Sequence, residues 1–155
     1  MVRNSHSKIK YLLVTDIPAP WREKVYEYVH RTLGDAFHVV YCSHNEKRRL
    51  WTFPHGKHRK TFLRGITLGN EKKERYVNVG IIPLLLRHRP KIVIGFSLTP
   101  TVIIAFLMAK LLNRKTAVLS DSWLGRDVGI SWKQRAMRNY VYKNFADAFI
   151  GASRQ

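Results

Sequence analysis

Asp121 and Asp127, in the stretch VLSDSWLGRD (118–127), are the only acidic residues between Glu74 and Asp147 in a chain of 155 residues with a formal net charge of +18. A carboxylate in so basic a chain, at the tip of a strand-like apolar run, either caps a helix or does chemistry. Asp121 lies ten residues before the next helical pattern, too far to cap it. The chemistry that fits it is to orient or deprotonate a hydroxyl. An earlier stretch, TDIPAPWR (15–22), offers a similar set of residue types. Its Asp16 is close enough to PAPWREK to serve as an N-cap, so capping and site readings both stand for it. Trp21 and Trp123 either pack or present a ring face on which a sugar stacks. Arg22 and Arg126 either pair with nearby acids or bind an acceptor phosphate bidentately. A third stretch, GFSLTP (95–100), adds Phe96 and the hydroxyls of Ser97 and Thr99, while Pro18 and Ser122 belong to the first and third.

These stretches stand at the ends of strand-like runs, and that is what brings them together. IKYLLVTD reads as a strand, and APWREKVYEYVHRTLGD as a helix with Val25, Tyr28, Val29 and Leu33 on one face, stopped by Gly34. FHVVYC is a second buried strand. Residues 43–75, with ten Lys or Arg against three Glu, read as a basic surface excursion holding one further strand near Thr61–Ile66. RYVNVGIIPLLLRHRP reads as a helix interrupted near Pro83. Strand KIVIGF, helix TPTVIIAFLMAKLLNR, strand KTAVLS, helix SWKQRAMRNYVYKNFAD and strand AFIGAS follow. Continuous apolar strands alternating with helices predict an α/β, Rossmann-like parallel sheet with helices on both faces. In such a sheet ligands bind beyond the carboxyl ends of the strands, where all three stretches fall.

Other readings carry less weight. Ile92–Leu112 is 21 residues with Lys110 its single charge, long enough to span a bilayer, but Gly95, Ser97, Thr99 and Pro100 suit a strand-to-helix loop. Cys42, His44, His55 and His58 have ligand chemistry without a zinc spacing, so no metal or other cofactor is expected. Neither a P-loop nor G-x-S-x-G is present. One cysteine and no signal-like apolar stretch after MVRNSHSKIK read as a cytoplasmic chain. The charge predicts a polyanionic partner, either nucleic acid or an anionic membrane face. Against nucleic acid, the sequence has no helix-turn-helix, zinc-finger or RNP signature. Residues 131–145 carry Lys133, Arg135, Arg138 and Lys143 and no acid, with Trp132, Ala136, Met137, Tyr140 and Val141 at four-residue spacings. That segment either covers the sheet or lies on a membrane surface.

The T-D-x-P-x-P-x-R start, the RPKIVIGFS strand and the SDSW loop, in this order and spacing, resemble the N-terminal, acceptor-side domain of the family 4 glycosyltransferases of the GT-B type. The resemblance covers nearly the whole chain. It implies a hexosyltransferase-type enzyme of two Rossmann-like domains, working without a metal. The nucleotide sugar would be held mainly by a C-terminal domain, and a saccharide or lipid-linked acceptor mainly by this one. GASRQ falls about where the first domain would pass toward the second, so residues 1–155 are expected to be the N-terminal domain alone, inactive without its donor-binding partner. Asp121 would be the catalytic group. Asp16, Pro18, Trp21, Arg22, Phe96, Ser97, Thr99, Ser122, Trp123 and Arg126 would bind substrate. The resemblance also implies a peripheral position at the inner membrane face. The loop DIPAPWR departs from the family in lacking glycine, so its backbone cannot approach a phosphate closely, although the helix after it still favours an anion. The alternative is a basic nucleic-acid-binding or non-catalytic membrane-surface module.

Overall fold

A computed structural model describes residues 9–44, 56–69, 75–120 and 131–151. Strand β1 (Tyr11–Thr15) leads into helix α1 (Pro20–Leu33), which has Pro at its first position and ends at Gly34, whose positive φ of 56° few other residues adopt cheaply. A short 3-10 turn (Gly34–Ala36) passes to β2 (Phe37–Tyr41). Strands β3 (Lys60–Phe62), β4 (Ile66–Leu68) and β5 (Arg75–Val77) precede α2 (Ile81–His88). Then come β6 (Ile92–Phe96), α3 (Pro100–Leu111), β7 (Lys115–Ser120), α4 (Trp132–Phe145) and β8 (Ala148–Gly151).

Among the described residues the main sheet has six strands, in the order β3-β2-β1-β6-β7-β8, all parallel. Alternate residues of β1 go to opposite faces, as the strand period requires. Leu12 and Val14 join Val40, Val93, Val118 and the inner side of α3. Leu13 joins Val39, Tyr41 and Tyr26 of α1. Helix α1 therefore covers one face, while α2, α3 and the Val141 side of α4 cover the other. The expected Rossmann-like α/β fold with helices on both faces is present. Gly95 lets α3 lie close on β6, because a Cβ there would come within 2.4 Å of Val102 and 2.8 Å of Phe106.

Three local expectations are corrected. Of the Val25, Tyr28, Val29, Leu33 face of helix α1, Val29 alone packs against the core. Tyr28 is 71% exposed, whereas Glu23 and Tyr26 are buried, because Tyr26 packs on Phe37 and His58 and the Glu23 carboxylate has buried donors. The basic excursion is partly integral to the fold: β3 extends the main sheet beside β2, with His58 and Leu63 buried. Residues 75–88 are not one interrupted helix, since Arg75–Val77 pairs with β4 and α2 starts at Ile81. Pro83 sits in its first turn, where a missing N–H costs little. Ile92–Leu112 divides into β6, a loop and α3. Among the described residues no helix is long and apolar enough to cross a membrane.

Candidate functional site

The chain leaves β1 toward β2 on one side and β6 toward β7 on the other, so β1 and β6 flank the point where the strand order reverses. Ligands of open parallel sheets bind in the crevice at that point. Asp16 and Ser97 stand on its two sides, immediately after β1 and β6, with Ser97 Oγ 3.5 Å from Asp16 Oδ2. Ser97 is exposed and holds a left-handed φ of 63°. That conformation costs a non-glycine residue about 1–2 kcal/mol, and retained strain of this kind clusters at functional sites. Thr15, fully buried at the end of β1, has a hydroxyl with no hydrogen-bond partner among the described residues.

Arg22, in the first turn of α1, lays its guanidinium over the Phe96 ring, 3.6 Å from the centroid. Stacking fixes the plane of the fork, and its N–H donors lie in that plane, the geometry for meeting an anion edge-on. The crevice thus brings together Asp16, Arg22, Phe96 and Ser97. Trp21 is beside them in sequence and 54% exposed, while Pro18 is buried. Asp16 does not cap α1: its N-cap is Ala19, without a side-chain cap. Thr99 is the N-cap of α3, its side chain accepting from the Val102 N–H at 3.5 Å. Asp121, Ser122, Trp123 and Arg126 lie outside the described residues, as does His55; Asp121 follows directly on Ser120, the last residue of β7.

Behind Arg22 lies a buried polar cluster that sequence reasoning missed. Tyr41 Oη donates to Glu23 Oε1, and Gly56 N–H donates to Glu23 Oε2 at 2.7 Å. His58 Nε2 is 3.1 Å from Tyr41 Oη, and its Nδ1 is 3.9 Å from Glu23 Oε2. Because the tyrosine proton goes to Glu23, this geometry suits a His58 that carries its proton on Nε2. Burial pushes the pKa of His58 down, although the Glu23 charge opposes it. Burial, then the hydrogen bond to Glu23, pushes that of Tyr41 well up. The cluster fastens the Gly56–His58 part of the basic excursion to the first turn of α1. Cys42 is buried and is no nucleophile: burial first and the Asp16 charge second push its thiol up to about 12. Among the described residues no group of three or more His, Cys, Asp or Glu is placed to hold a metal ion.

An apolar groove of about 570 Å³ opens beside the same crevice, between the start of α3 and α4, with Leu98, Thr99 and Pro100 among its lining.

No protein-family model matches the chain, and no curated protein matches it in sequence. Among solved structures it is similar to the UDP-GlcNAc 2-epimerase from Methanocaldococcus jannaschii, with a TM-score of 0.51 and 15% identity. The match covers 92% of this chain. The fold is that of a Rossmann-like lobe. This chain spans 39% of the length of that epimerase.

Proposed function

We propose that this chain is the acceptor-side lobe of a glycosyltransferase that moves a sugar from a nucleotide-sugar donor to a saccharide or lipid-linked acceptor. The observation that carries the reading is the crevice between β1 and β6, where a carboxylate, a stacked guanidinium and a strained serine meet. The fold likeness to an enzyme of UDP-GlcNAc supports nucleotide-sugar chemistry in general. The sequence motifs narrow it to transfer of the family 4 type.

In this reading an acceptor hydroxyl attacks the anomeric carbon of the donor sugar. The carbon–oxygen bond to the nucleotide phosphate breaks and the phosphate leaves with the electron pair. Asp121, directly after β7 in the sequence, orients the hydroxyl and takes or shares its proton. Arg22 meets negative charge on the acceptor or developing on the leaving phosphate, and Ser97 and Asp16 hold sugar hydroxyls. Trp21 and Trp123 stack on sugar rings. Ser122 and Arg126 lie in the Asp121 loop and complete the set. The donor is held mainly by a second domain, and the basic surface rests on the cytoplasmic face of an anionic membrane.

Calorimetry and a transfer assay test this together. Residues 1–155 alone should transfer no sugar and bind nucleotide sugars only weakly, and activity should appear when a donor-binding domain is joined to them. Micromolar binding of a nucleotide sugar to residues 1–155 would contradict the division of labour. A second reading, nucleic-acid binding, is favoured only by the net charge of +18. It predicts salt-dependent DNA binding without vesicle binding.

A further inference from the structure

The α3–α4 groove has walls of Leu98, Ile103, Ile104 and Met137, with the guanidinium-bearing Arg75 and Arg138 also in its lining. Its volume, about 570 Å³, falls within the roughly 300–1,000 Å³ of small-molecule sites, which are mostly apolar with a few placed polar groups. Among the described residues none of the lining is acidic, and α4, which forms one wall, has no acid among residues 131–145. The aliphatic walls suit an apolar chain, and the two guanidinium side chains suit an anionic group. The lining complements a molecule that is both, an apolar chain ending in an anionic group.

The groove and the crevice are neighbours along the chain, since Leu98 and Thr99 of the groove lining directly follow Ser97 of the crevice. Helix α4 offers a way in from a membrane, for Trp132 is 74% and Tyr140 64% exposed beside Lys133 and Arg135. Exposed aromatic and basic residues together are the composition of a helix lying at a lipid interface.

We infer that the α3–α4 groove is a binding site for a membrane amphiphile, seating its apolar chain against Leu98, Ile103, Ile104 and Met137 and its anionic head between Arg75 and Arg138. The inference rests on the proposed acceptor role in one respect only. It makes the acceptor an amphiphile, while binding itself is measured apart from transfer.

The probe is dodecyl phosphate below its micelle concentration, titrated calorimetrically into the 155-residue protein, with inorganic phosphate and dodecyl maltoside as comparisons. Dodecyl phosphate should bind, decyl phosphate should bind up to about fifteenfold more weakly for its two missing methylenes, and the comparisons should bind at least tenfold more weakly. Ile104→Trp fills the groove at a partly exposed position and should lower dodecyl phosphate affinity at least tenfold with the melting temperature unchanged. Arg75→Gln with Arg138→Gln should lower it about tenfold and leave any dodecyl maltoside binding as it was. Undiminished binding to a folded Ile104→Trp protein overturns the inference, as does equal affinity for dodecyl maltoside. So does sedimentation showing a dimer that Ile104→Trp disperses, since a second copy then occupies the groove. Sugar transfer to a soluble saccharide with dodecyl phosphate unbound sinks this inference alone. Amphiphile binding by a protein that transfers no sugar when joined to a donor-binding domain sinks the transferase reading alone.

Discussion

Helices α3 and α4 follow successive strands of one sheet and lie on the same face, yet they do opposite work. Helix α3 is apolar around most of its circumference and buries Thr101, Val102, Ala105, Phe106 and Ala109. Helix α4 is as long and as regular, but Val141 is its one buried residue among those described, and it leaves Met137 47% exposed besides Trp132 and Tyr140. A helix that is apolar all round belongs to a core. One that keeps large apolar and cationic side chains in water has another surface to meet. The first sets the geometry of the crevice, and the second faces whatever approaches it.

Mutation breaks the comparison most sharply at Phe106, in contact range of Gly95 beneath α3. Phe106→Ala should cost about 3–5 kcal/mol in urea denaturation, whereas Met137→Ala on α4 should stay within about 0.5 kcal/mol. Equal costs would make α4 a core element and remove the contrast. The next largest effect is one of pH. His38 is buried, with Nε2 2.8 Å from Thr61 Oγ1, and its pKa is lowered to about 4 by burial first and by Arg59, His88 and His58 after it. The unfolded chain therefore takes up a proton at about 6.5, before the native state does. Stability is fully present above that value and falls as pH drops from about 6.5 to about 4, by up to about 3 kcal/mol from this residue. His38→Gln should flatten the profile in that window, and an unchanged slope would show that His38 is not responsible.

Tyr41→Phe removes one donor from the buried Glu23 carboxylate and should cost about 1.5–3 kcal/mol, because hydrogen bonds to charged groups are the stronger kind. Hydrogen exchange should then rise at Gly56 and Lys57, whose N–H groups bond Glu23 and Glu27. Unaltered exchange there would mean the cluster does not hold the excursion. On α4, Lys133→Gln with Arg135→Gln should weaken binding to anionic vesicles by about 1 kcal/mol per residue, with the effect shrinking as salt shortens the Debye length. Equal binding to neutral vesicles would remove the electrostatic account of that face.

Apart from the β4–β5 pair, whose residues read as parts of other segments, the order of elements was legible because each carries its own local signal. Continuous apolar runs mark β1, β2, β6 and β7, Thr99–Pro100 opens α3, and Gly34 closes α1. What lay hidden depends on partners distant in sequence. Glu23 looks like an ordinary exposed acid in the first turn of a helix. It is buried because Tyr41, 18 residues on, and the Gly56 N–H, 33 residues on, both point at it. That pull turns α1 away from the face its Val25, Tyr28, Leu33 spacing favours. The crevice was half legible: strand-end loops are identifiable from sequence, and Asp16, Arg22, Phe96 and Ser97 do meet there. The stacking of Arg22 on Phe96 and the left-handed Ser97 have no sequence signal, since neither residue type requires that geometry. The groove was hidden for a similar reason, since Arg75, Ile103 and Met137 share a wall only once β5, α3 and α4 are packed.

The most direct test of the transferase reading compares two acids of one loop in an enzyme that carries both lobes. Asp121→Asn should leave the melting temperature unchanged and lower turnover by about 10²–10⁴, the range for losing a positioned proton acceptor. Asp127→Asn, beside Arg126 in the sequence, should change turnover little. Turnover within about twofold of the parent for Asp121→Asn, with a melting temperature several degrees lower, would make Asp121 a structural residue and contradict the account.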